Sequence, residues 1–221
     1  MLISPPFSAA SDPDDEAFVY ASMPDVVDLS PRTSGAPAGS FPLVTALTWH
    51  NGLHVRAPLM EPPSPSPVRA IADGTVIFKR DPRPANSNAD DAQNYNAYDD
   101  KPGWTDNGIV ILRHQLDIGT ASDGASTGVI FYSAYMHLSA IEPAVEIRSE
   151  IEREQHIGAP GQICGTDGQI HFEICMNAKE LQKLVGTTRS IGWVEPTAAP
   201  TAHGRADSVF GSVYVYLPAT T

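Results

Sequence analysis

The sequence predicts a mainly antiparallel β fold with short turns, long loops and one short helix. Three observations carry this. Apolar and β-branched runs of strand length recur through the middle of the chain, as in GIVILRH (108–114), GVIFYSAYMHL (128–138) and GQIHFEIC (168–175). Gly-, Asp- and Asn-bearing turn signals lie between such runs. A single segment, AKELQKLVG (178–186), reads as a helix, ended by Gly186.

The elements follow in order. Residues 1–44 are rich in Pro, Ser, Asp and Ala and read as an extended arm, with the folded domain expected over 45–221 and a C-terminal extension from about 178. EPPSPSP (61–67) is a Pro-Ser loop, and VRAIADGTVIFK (68–79) reads as strand, turn at Asp73-Gly74, strand. Residues 80–107 are polar and crowded with Asn, Asp and Pro, a long loop of the kind that is often functional. Its aromatics Tyr95, Tyr98 and Trp104 either line a groove or pin the loop down. QLDIGTASDGAST (115–127) is expected to be a hairpin loop. IRSEIEREQHIGAPGQIC (147–164) leads into a strand pair with 168–175, turning at GTDG, and SVFGSVYVYLP (208–218) reads as a late strand.

The chain of 221 residues suffices for one sizeable core with extensions. A net charge of −12 argues against a phosphate-binding surface and gives no support to nucleic-acid binding. No run of about 18 apolar residues suggests a membrane span. The N-terminal MLISPPFSAASDPDDEAF lacks the basic and apolar regions of a secretory signal, and Met1 reads as a natural start. The ending VYVYLPATT reads like a cut before a further domain. Cys164 and Cys175 are too few for a disulfide framework. A hairpin puts one near the turn and the other at the far end, beyond the ~7 Å Cα limit of a disulfide, so both are expected to be free and buried.

The histidines carry the chemistry. His50 and His54 flank Asn51-Gly52 in TWHNGLHVRAP. An extended chain would hold them about 13 Å apart at ~3.3 Å per residue, so they share a metal only if the chain bends, and Gly52 suits a bend. By this spacing alone, a metal pair and two ordinary histidines beside a turn are both open. In QIHFEI, period-two alternation puts Gln169, His171 and Glu173 on one face and Ile170, Phe172 and Ile174 on the other. His137 ends a strand and shares a face with Tyr135 by the same rule. If these strands are neighbours, His137, Gln169 and His171 converge, and a bent 50–54 segment adds two more imidazoles. Three imidazoles with an open fourth position make a catalytic type of zinc site. His114 reads as a structural, hydrogen-bonding residue, and His156 and His203 as solvated.

The order HNGLHVRAP, VRAIADGTV, NGIVILRH, YMHLSAI, IGAPGQICGTDGQIHFEI resembles the lysostaphin/LytM-type zinc endopeptidases, which hydrolyse bacterial cell walls. The resemblance runs from about Trp49 to Ile174. It implies an antiparallel β fold with a narrow groove and a bound Zn2+ held by His50, His54 and His171. His54 stands where the family has an aspartate, which leaves a three-imidazole site. It also implies His137 as a catalytic histidine, in an intact Tyr135-Met136-His137-Leu138 motif. Gln169 replaces the family's other catalytic histidine. Glutamine hydrogen-bonds a carbonyl or a water but is no base near pH 7, so His137, Glu173 or Asp106 must then carry the proton work. Tyr135, Trp104 and Glu173 are the candidate substrate contacts. The implied function is zinc-dependent cleavage of peptidoglycan, at a peptide cross-link or at the sugar–peptide amide. The alternative is a degenerate binding or regulatory domain. The expected site of action is the periplasm or cell wall, reached by a non-classical route as an antibacterial effector. Peptidoglycan, a secretion machine and an immunity protein are the expected partners of a monomeric chain.

Overall fold

The computed structural model describes residues 3–7, 51–60, 64–96, 102–120 and 126–185. His50, Tyr98, His203, most of the expected arm and the strand expected at 208–218 lie outside the described residues.

The architecture is mainly β, as expected. The strands are β1 (Leu53–Arg56), β2 (Leu59–Met60), β3 (Ser64–Pro65), β4 (Val68–Arg69), β5 (Gly74–Arg80), β6 (Gly108–Thr120), β7 (Ser126–Ile141), β8 (Glu150–Ile151), β9 (His156–Ile163) and β10 (Thr166–Cys175). One antiparallel sheet has the order β1-β10-β9-β7-β6-β5-β8, with β4 on β9, and β2 and β3 form a separate ribbon. β10 divides its pairing: Thr166 and Gln169 face β9, whereas His171–Cys175 face Met136–Tyr132 of β7. This divided pairing curls the sheet around its own apolar face. Alternate residues supply that face, including Val110 and Leu112 of β6, Phe131 and Tyr135 of β7 and Ile170 of β10. The segment 3–7 closes one end: Ser4 N–H donates to the Ile71 carbonyl, Arg69 N–H donates to that of Pro6, and Phe7 is in the core.

The helix α1 (Ala178–Val185) falls where the sequence places it. Asn177 Oδ1 accepts from Glu180 N–H at 2.9 Å, an N-cap that satisfies one of the orphan donors of the first turn. Glu180 also accepts from the Ile130 N–H at 2.9 Å, tying the helix to β7. Lys183 beside it holds the Glu180 carboxyl below the usual carboxylate range.

Three expectations need correction. β6 and β7 run through much of 115–127, which was expected to be loop, because Gln115, Leu116 and Asp117 continue the ladder to Ile130, Val129 and Gly128. The β9–β10 hairpin turns at Cys164-Gly165, not at GTDG, with φ of 48° and 78°, the two-residue I′ type that matches strand twist. The cysteines are free, but Cys164 is half-buried in the turn and Cys175 is exposed at the strand end. Neither has a core position to fill.

His114 is structural, as expected. It is wholly buried and stacked on Phe131 with ring centroids 4.6 Å apart. Nδ1 lies 2.8 Å from the Asp73 carbonyl and Nε2 2.7 Å from Ser133 Oγ. Ser133 Oγ is 3.1 Å from the Tyr135 hydroxyl, which accepts from Ile71 N–H. A carbonyl only accepts, so Nδ1 carries the proton. Ser133 then donates to Nε2, and Tyr135 donates to Ser133. Each member is satisfied with a neutral imidazole.

Burial pushes the His114 pKa below its ordinary 6.5. The unfolded chain takes up this proton near pH 6.5, whereas the folded chain resists it to lower pH. The contribution of His114 to stability is therefore complete above pH 6.5 and declines as pH falls through and below it. Denaturant titrations at pH 7.5 and 5.5 should show this loss in the wild type and a smaller one in His114→Gln; equal losses would refute it. In the turn, Cys164→Asn should stabilise by roughly 0.5–1 kcal/mol, since asparagine tolerates positive φ better than cysteine. A thermal melt with unchanged or lower Tm would count against this assignment.

Candidate functional site

The groove face of β10 builds the site. Its register pairs His171 with His54 on β1 and, on the other edge, with Met136 on β7. Residues directly opposite in an antiparallel pair put their side chains on the same face with Cβ atoms about 4.5–5.5 Å apart. His54 and His171 therefore meet, with ring centroids 5.5 Å apart and planes at 70°. Nδ1 of His54 and Nε2 of His171 are both shielded from solvent.

Gly52, the residue suited to a bend, is left-handed. Its φ is +75°, and a Cβ there would sit 2.3 Å from the Phe172 carbonyl oxygen and 3.0 Å from His171 Nε2. The backbone of residue 52 thus lies against His171 itself.

His137 reaches the same face by a different device. Ile109 pairs with Met136 and Gly108 with Leu138, which leaves His137 as the extra residue of a β-bulge, at φ 65°. The bulge breaks the alternation. Tyr135 and Leu138, three apart, both enter the core, and Met136 and His137 both line the opposite side. The ring of His137 stands 6.2 Å from that of His54 and 6.3 Å from that of His171. Its Nδ1 is 2.8 Å from the Asp106 carbonyl oxygen, which fixes the proton on Nδ1 and leaves the lone pair of the neutral ring on Nε2.

Asp106 in turn is held on all sides. Its carboxylate accepts from Trp104 Nε1 at 3.0 Å and from Gln162 N–H at 2.7 Å, and its own N–H donates to the Gln162 carbonyl. Trp104 is buried, with the Arg83 guanidinium 5.9 Å from its ring centroid. Arg83 pairs with Asp91 at 2.9 Å and donates to Gln93 at 2.6 Å. The long loop is folded by these polar contacts, and its end product is one oriented carbonyl under His137.

The expected residues therefore divide. His54, His171 and His137 come together. Gln169 and Glu173 flank His171 on the same strand face, each about 7 Å along the chain. Gln169 is 3% exposed and lies opposite Arg56 on β1 and Gly161 on β9. Glu173 Oε2 is 3.9 Å from His171 Nε2, within reach of charge attraction though beyond a hydrogen bond. Tyr135 is not a groove residue: it is 0% exposed, its ring packs on Phe172 and its hydroxyl serves the core. Trp104 pins the loop rather than presenting a face to a ligand. The Asp106 carboxylate is committed to two donors, so it is a positioning group. The part of Asp106 that touches His137 is main chain, which left no signal in the sequence.

Among the described residues, no group of three or more His, Cys, Asp or Glu side chains has the spacing of a metal site. Two imidazoles on one zinc, at Zn–N of about 2.0–2.1 Å, bring their ring centroids to roughly 5 Å. His54 and His171 fit that separation, and the ring of His137 stands farther out, at 6.2 and 6.3 Å from theirs. The described residues thus supply two fitting donors; the expected third, His50, lies outside them.

No protein-family model and no curated protein matches the chain. Among solved structures it is similar to a zinc-containing peptidase from Vibrio cholerae, at 19% identity and TM-score 0.34, over 58% of this chain and 27% of that one. It is also similar to Csd3 from Helicobacter pylori, at 17% identity and TM-score 0.36, over 80% of this chain and 32% of that one. A third is the catalytic domain of the antimicrobial peptidase lysostaphin from Staphylococcus simulans, at 17% identity and TM-score 0.32, over 66% and 84% of the two chains. The chain spans less than a third of the length of the first two.

Gly52→Ala should cost at least about 1–2 kcal/mol, the penalty of a left-handed non-glycine residue, and should displace the 51–52 segment from His171. Paired denaturation curves and the histidine ring resonances of the variant check this. An unshifted His171 signal with full stability would refute it.

Proposed function

We propose that this chain is a zinc-dependent hydrolase acting on peptidoglycan. The observation that carries the reading is the cluster of His54, His171 and His137 on one groove face, with the His137 tautomer set by a carbonyl. The ordered motif resemblance to lysostaphin/LytM-type enzymes supports it. His54 and His171 would hold the metal together with His50. A bound zinc supplies Lewis acidity at the scissile carbonyl and acidifies water near neutral pH.

The chain's own residues do the rest. His137, with its proton held on Nδ1, offers Nε2 to accept a proton or, once protonated, to donate one to the departing amine. The Asp106 carbonyl keeps the ring aimed and stabilises the imidazolium form. Glu173 is the carboxylate near the pair that remains for proton transfer, since Asp106 is engaged by Trp104 and Gln162. Gln169 orients substrate or water by hydrogen bonding, without acting as a base. One missing acid/base group is typically worth about 10²–10⁴-fold, so slow turnover is expected. Action in the periplasm or at the wall, and delivery as an effector, belong to the same proposal.

A binding or regulatory domain without catalysis is the second reading, favoured by the glutamine at 169. Metal content and turnover separate the two. The purified chain should retain one equivalent of zinc after gentle dialysis and release peptides from purified sacculi. His171→Ala should lose both properties, and Gln169→His should raise the rate at unchanged zinc content. Absence of zinc from the wild type would sink the hydrolase reading; zinc without peptide release would favour the binding domain.

A further inference from the structure

A cavity of about 310 Å³ opens beside His137, lined among others by Arg80, Gln93, Asn107, Ile109 and Met136. The strand register explains the row. Arg80 at the end of β5 pairs with Ile109 of β6, and Ile109 pairs with Met136 of β7, next to the bulged His137. Two strand spacings of about 4.8 Å put Arg80 on the order of 10 Å from the His137 end, or about three residues of an extended peptide.

The neighbouring cations are paired with carboxylates: Lys79 with Glu146 at 2.8 Å and Asp81 at 3.5 Å, Arg83 with Asp91 at 2.9 Å. Arg80 instead gives its Nε–H to the Asn107 carbonyl at 2.8 Å and makes no ion pair among the described residues. That bond anchors the guanidinium at the cavity wall and leaves the donors on Nη1 and Nη2 for a partner. The one carboxylate on the wall, Asp106, is occupied by Trp104 and Gln162. Gln93 and Asn107 are neutral amides. In a chain of net charge −12, an anchored arginine in a cavity beside the catalytic histidine selects for an anion, and its planar fork matches a carboxylate.

We infer that Arg80 is a specificity residue, holding a free carboxylate on a peptide substrate about three residues from the bond presented to His137. This rests on the hydrolase reading for the meaning of His137, and not for the existence of the site. The test is equilibrium binding to the full-length chain of two capped peptides that differ only in carrying glutamate or glutamine. The wild type should bind the glutamate peptide about tenfold more tightly, the scale of one charge-assisted pair. Arg80→Gln should remove the preference while leaving glutamine-peptide affinity unchanged, and Arg80→Lys should keep part of it. Equal binding of both peptides, binding of neither, or a preference that survives Arg80→Gln would overturn the inference. Because binding is read without turnover, a preserved preference with no peptide release from sacculi would count against the hydrolase reading alone.

Discussion

The register of β10 governs everything else at the site. This strand is hydrogen-bonded to β1 on one edge and to β9 and then β7 on the other. With a side-chain period of two, one residue of slip would send His171 into the core and Phe172 into the groove. The apolar contacts of Ile170 and Phe172 therefore hold His171 in place as surely as any bond to the imidazole does. Because β1 and β7 are registered to the same strand, His54 and Met136, the neighbour of the bulged His137, both stand beside His171.

How much of this could be read from the sequence depended on which physical rule was in force. Alternation along QIHFEI placed Gln169, His171 and Glu173 correctly, since the strand is regular from Gln169 onward. The left-handed conformation of Gly52 was legible because glycine is the residue that such a turn demands. Tyr135 was misplaced for an identifiable reason: alternation counted through a bulge that inserts one residue, and a histidine at positive φ gives no advance sign of it. The turn was misassigned because Gly165 and Gly168 both fit one, and cysteine is an unusual first residue for a I′ turn. The domain division and the roles of residues beyond 185 were matters of composition alone.

The loop before β6 shows a second kind of illegibility. Arg83, Asp91, Gln93 and Thr105 are joined by hydrogen bonds at 2.6–3.0 Å, and next to them Trp104 donates to Asp106 at 3.0 Å. Such a network has no periodicity to read. Its effect on the site passes through the main chain of Asp106, so the polar composition of the loop matters less than the one carbonyl it delivers. The loop orients His137 through the Asp106 carbonyl at its Nδ1.

The buried line from Ile71 through Tyr135 and Ser133 to His114 and Asp73 has a direction, because every hydroxyl in it both gives and receives. Reversing the Tyr135–Ser133 link would leave an acceptor facing an acceptor, the Ser133 oxygen against Nε2 of His114. The three side chains thus form one energetic unit: Tyr135, Ser133 and His114 are satisfied only together. An apolar replacement at one position strands its neighbours, whereas a concerted replacement of all three by well-packed apolar residues need not. Replacing two of these positions together should therefore cost less than the sum of the two single replacements, because the second change removes a group that the first had stranded.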